Sequence, residues 1–123
     1  MASILSLRPK LFRTRSPNRD AATDVDRVMS VRRALSEAVS SATRERQGLQ
    51  QRVDVYYAQA SNLLDNSGDY GARSPEDEQS IAMAERQAAA ANARIRQIDV
   101  QIGQFGDMLA TLDMTMRVGA AAQ

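Results

Sequence analysis

Two ladders of apolar residues, each with a seven-residue step, constrain this chain more than any other feature. Ala21, Val28, Leu35, Ala42, Leu49, Tyr56 and Leu63 form the first. Ile81, Ala88, Ile95, Ile102, Leu109 and Met116 form the second. Ala84, Ala91, Ile98, Phe105 and Leu112 follow its first five members by three residues. A seven-residue apolar repeat doubled at a three-residue offset is the pattern of a seam between packed helices. The expected fold is therefore all-α: a long antiparallel two-helix coiled-coil hairpin with a disordered basic N-terminal arm.

The boundaries follow from local signals. Residues 1–20 hold two prolines and clustered positive charge, and are read as the arm. Helix 21–64 is expected to start beside Asp20 or Thr23 as N-cap, with Asp24 and Asp26 at the positive end of the helix dipole. Residues 65–74, with Asn66, Ser67, Gly68, Asp69 and Gly71, are turn and C-cap types. Ser74-Pro75-Glu76-Asp77-Glu78 is a strong helix start: an N-cap serine, proline at the first helical position, and acids facing the N-terminus. Helix 75–118 then ends at Gly119, leaving 119–123 as a frayed tail.

Folding back through this turn sets Tyr56 against Ala84, Leu49 against Ala91, Ala42 against Ile98, Leu35 against Phe105 and Val28 against Leu112. The first three pairs place a large side chain opposite a small one, which keeps a close-packed seam at constant width. The seam has a flaw. Facing Ile95 and Ala88, the first helix offers Glu45, Arg46 and Arg52. Their long stems are expected to lie over the seam and carry their charges to water. Gly103 and Gly106 bracket Phe105 and fit a close approach of another helix, a bend, or equally neutral drift on an exposed face.

Composition removes most chemistry. The 123 residues contain no cysteine and no histidine. That takes away disulfides, the nitrogen and sulfur ligands of zinc sites, and the commonest general base and thiol nucleophile. Glu76, Asp77 and Glu78 are adjacent, so they cannot all point inward from one helix, and capping explains them. Asp65-Asn66-Ser67-Gly68-Asp69 lacks the spaced oxygens and closing glutamate of an EF-hand loop. No enzyme activity, cofactor or metal is expected. No stretch approaches the roughly 18 apolar residues of a membrane span, and a cytoplasmic location is expected. A single lysine among 16 basic residues suggests a GC-rich bacterial genome.

Two kinds of contact remain. Val55, Tyr57, Leu64, Met108 and Met114 lie outside the ladders and are candidates for a partner surface. Arg8, Lys10, Arg13 and Arg15, beside Leu7, Leu11 and Phe12, are candidates for meeting phosphates of nucleic acid or an anionic membrane. The first 19 residues hold no acid, a composition shared with organellar transit peptides. Because a lone hairpin buries one stripe per helix and much of this stripe is alanine, a homodimer or a protein partner is expected. The leading functional expectation is a non-enzymatic adaptor, scaffold or assembly factor. A tether using the basic arm, with the hairpin only dimerising, is the alternative. In outline the hairpin resembles the stalk proteins of flagellar and type III secretion export, a likeness of shape that no motif here carries to residues.

Overall fold

A computed structural model describes residues 16–66 and 73–121. They form two helices, α1 (Pro17–Asn66) and α2 (Pro75–Ala121), packed against each other along their length as a hairpin. At 1.5 Å per residue, the 50 residues of α1 extend about 75 Å and the 47 of α2 about 70 Å. The start of α1 and the end of α2 thus meet at one end of the hairpin, the open end, far from the turn. Residues 1–15, and with them most of the predicted arm, lie outside the described residues, as do residues 67–72 of the turn.

α1 begins four residues earlier than the ladder predicts. Ser16 caps it: its hydroxyl accepts from the Arg19 amide at 3.0 Å, and its carbonyl accepts from the Asp20 amide at 3.0 Å. Pro17 takes the first helical position, where a missing N–H costs nothing. Asp20 and Thr23 are therefore helical rather than capping, and the Thr23 hydroxyl donates back to the Arg19 carbonyl. α2 repeats the device as predicted. Ser74 Oγ accepts from the Asp77 amide at 3.1 Å, and the Ser74 carbonyl accepts from the Glu78 amide. Gly119 does not stop α2, which continues to Ala121.

The buried core is Ala42, Val53 and Ala60 of α1 with Ile81, Ala84, Ala88, Ala91, Ile95 and Ile98 of α2. Two clusters organise it. Tyr56 and Leu63 pack against Ala60, Ile81 and Ala84, and Leu49 packs against Val53, Ala91 and Ile95. They unite Tyr56 with Ala84 and Leu49 with Ala91, in agreement with the antiparallel register. The flaw expected opposite Ile95 is filled by Val53, which belongs to a second α1 stripe running through Val39, Val53 and Ala60. No polar or charged residue is buried among those described.

Burial is uneven along the seam. From Ala42 and Ile98 toward the turn the ladder residues of α2 are buried; from Ile102 toward the open end Phe105, Leu109, Leu112 and Met116 are only half-buried, as are Val28 and Leu35 across from them. Size explains this. Near the turn, alanines face larger residues and let the helices close. Toward the open end, large faces large, and two helices alone cannot enclose such a layer. A Cβ added at Gly103 or Gly106 meets nothing within 4 Å. These glycines serve no close approach inside the hairpin.

Candidate interaction surface

The seam has two flanks with different chemistry. On the first, the inner stripe of α1 is interrupted by Arg32 and Arg46, two heptads apart. Each guanidinium forks onto a carboxylate of α2: Arg32 Nε donates to Asp113 Oδ1 at 2.8 Å and Nη2 to Oδ2 at 3.4 Å, and Arg46 does the same to Asp99. Planar guanidinium and carboxylate suit this two-point geometry. Of the three residues expected over the seam, Arg46 is half-buried, whereas Glu45 and Arg52 are exposed; Arg32, half-buried as well, was not among them. The hydrogen bond from Arg32 holds the Asp113 carboxyl below its ordinary value, against partial desolvation, with the charges of Arg32 and Arg117 adding to the effect.

The second flank carries the third inter-helix fork. Arg94 of α2 donates to both carboxylate oxygens of Glu45, with Nε to Oε2 at 2.9 Å. This hydrogen bond lowers the Glu45 carboxyl from its usual range, desolvation opposing it and the charge of Arg94 assisting. Beyond Glu45 toward the open end, charge gives way to apolar surface. Three shallow concavities adjoin there. One is lined by Val31, Leu35, Met108 and Leu112 with Gln104, Asp107 and Thr111. The next, on α2, shares Thr111 and adds Ala110, Met114, Thr115 and Val118. The last shares Thr115 and adds Ala21, Asp24, Val25, Val28, Met116, Gly119 and Ala120. Together they make one groove, and among the described residues its charged lining is Asp24 and Asp107.

The five predicted partner residues are all exposed: Val55, Tyr57, Leu64, Met108 and Met114. They do not form one patch. Tyr57 and Leu64, seven residues apart, share an α1 face near the turn. Val55 lies over a shallow concavity with Gly48, Gln51, Arg52 and Tyr56. Met108 and Met114 line the groove at the open end. Sequence reasoning missed Val25, Met29, Val31, Met83, Val100 and Val118, which are exposed as well. Val25 carried a signal, since it starts the α1 stripe that continues through Arg32, Val39, Arg46 and Val53. The candidate phosphate or membrane contacts Arg8, Lys10, Arg13 and Arg15 lie outside the described residues.

Among the described residues, no three or more carboxylates gather as a metal site would require, and no helix is long and apolar enough to cross a membrane. No protein-family model matches the chain, and neither a curated protein nor a solved structure matches it significantly.

Proposed function

We propose that this chain is a non-enzymatic coiled-coil interaction protein, an adaptor, scaffold or assembly factor whose hairpin is completed by another helical surface. One observation carries the reading. Of the nine buried core residues five are alanine, whereas eleven large apolar residues stay exposed. The hairpin buries its small side chains and leaves many of its large ones outside, the reverse of what a self-sufficient core does. A second layer of helices, most simply another copy of the hairpin in a homodimer, would cover them. A cytoplasmic setting is part of the proposal.

Sedimentation velocity at micromolar concentration tests this. The expected result is a dimer, or a complex with a protein that co-purifies from the native host. A stable, fully helical monomer would sink the proposal.

The acid-free basic stretch of residues 1–19 supports a second reading, a tether in which Arg8, Lys10, Arg13 and Arg15 meet an anionic membrane or nucleic acid. Binding to anionic vesicles or DNA, strongly salt-dependent and lost on deleting residues 1–15, is what this reading requires.

A further inference from the structure

We propose that the apolar groove at the open end is filled by residues 4–12 of the same chain. This goes beyond the interaction reading and does not rest on it: the groove takes up Val25, Val31, Met108, Met114 and Val118 of the exposed apolar residues and leaves the other six for a partner.

Chemistry comes first. The groove presents Val25, Leu35, Met108 and Leu112, and its charged lining residues are Asp107 and Asp24, the latter already paired with Arg27 at 3.4 Å. A matching occupant is apolar and basic at once. Residues 1–15 carry Ile4, Leu7, Leu11 and Phe12 together with Arg8, Lys10, Arg13 and Arg15, and no acid.

Reach comes second. α1 starts at Pro17, at the same end as the groove. Thr115 lines a concavity with Asp24 and Val28, which lie about 10–17 Å along the helix from Pro17. Leu7 stands nine residues before Ser16 and can extend up to about 30 Å. It reaches Thr115 in a partly folded conformation. Pro9 bars one unbroken helix, but the groove needs only apolar side chains laid along it. Connection to α1 also raises the effective concentration of this segment over the groove to roughly the millimolar range. The groove is thus covered by its own chain unless a stronger binder displaces that segment.

Because the chain has no cysteine, disulfide trapping gives a clean test in the full-length protein. Leu7→Cys is paired with Thr115→Cys in the groove, and separately with Met29→Cys, which lies at a similar level beside the Arg32–Asp113 fork on the other flank. The expected result is an intrachain disulfide forming at least about tenfold faster with Thr115→Cys, as docking concentrates Leu7 on one side. Adding Leu11→Ser and Phe12→Ser should remove the difference. Equal rates for the two pairs overturn the proposal, since an undocked segment reaches both alike. Predominantly interchain disulfides overturn it in favour of a second copy. Amide hydrogen exchange on the cysteine-free chain is the second measurement. Deleting residues 1–14 should speed exchange across residues 108–118 and leave 84–98 unchanged; no change at 108–118 overturns the proposal.

Discussion

Ile98 is almost wholly buried, at 1 % exposure, and sits where the closed part of the seam ends. Truncating it leaves a hole that alanine neighbours cannot collapse into. Ile98→Ala is expected to cost about 2–5 kcal/mol, read from urea unfolding followed by circular dichroism. Ala88 shows the opposite constraint. At 0 % exposure it has no room for a larger side chain, and Ala88→Leu should destabilise by about 1–3 kcal/mol through overpacking. Gly103 faces open space, so Gly103→Ala adds a methyl without a clash. It should raise stability by about 1 kcal/mol through helix propensity alone. A loss instead would mean that another surface approaches there in solution. At this scale the sequence was legible where spacing reports position: Ala84, Ala91 and Ile98 fall inside as their ladder predicts. It was less legible for Val53 and Ala60. Arg32 and Arg46 interrupt their stripe, and a periodic pattern with charged members does not register as a core.

Each helix is held at its start by the same two residues, serine then proline. The pair at Ser74-Pro75 is followed by three acids and stands out after a glycine-rich turn. The pair at Ser16-Pro17 is followed by Asn18 and Arg19 inside a basic stretch, so composition hides the cap that geometry reveals. Ser16→Ala and Ser74→Ala should each destabilise by about 1 kcal/mol, measured as lowered thermal midpoints. The forks between the helices add a pH dependence. Asp113 and Glu45 are held below their ordinary carboxylate values in the folded hairpin. The folded chain then binds fewer protons than the unfolded one as pH falls through the carboxylate range near ~4. Their contribution is present above that range and is lost as acid protonates them. The thermal midpoint should therefore drop between pH ~6 and ~3, and the double variant Asp113→Asn with Glu45→Gln should show a flatter profile. An unchanged profile would remove these two forks from the account of stability.

For the whole molecule, a hairpin closed near the turn and half-open where α1 starts and α2 ends predicts graded stability. Amide exchange should be slowest around 84–98 and quicken toward 105–118, since opening there exposes only half-buried layers. That gradient was partly written in the pairings. Large-to-small matches stop after Ala42 with Ile98, and large-to-large ones follow. The groove was not legible, because it arises where the inter-helix ion pairing of its flank ends at Glu45, a property of two helices together that neither segment displays alone. The forks on the other flank have one more effect. A seven-residue repeat tolerates a slip of one helix past the other by a heptad, since apolar residues again meet apolar residues. Arg32 and Arg46 are separated by two heptads, and so are Asp99 and Asp113. A one-heptad slip in either direction would set Arg32 opposite Gly106 or Ala120, and Arg46 opposite Asn92 or Gly106. Both ion pairs would be lost together. The commonest error open to a repetitive seam is thus the one that this spacing penalises twice, so the forks act as a proofreading mark for alignment.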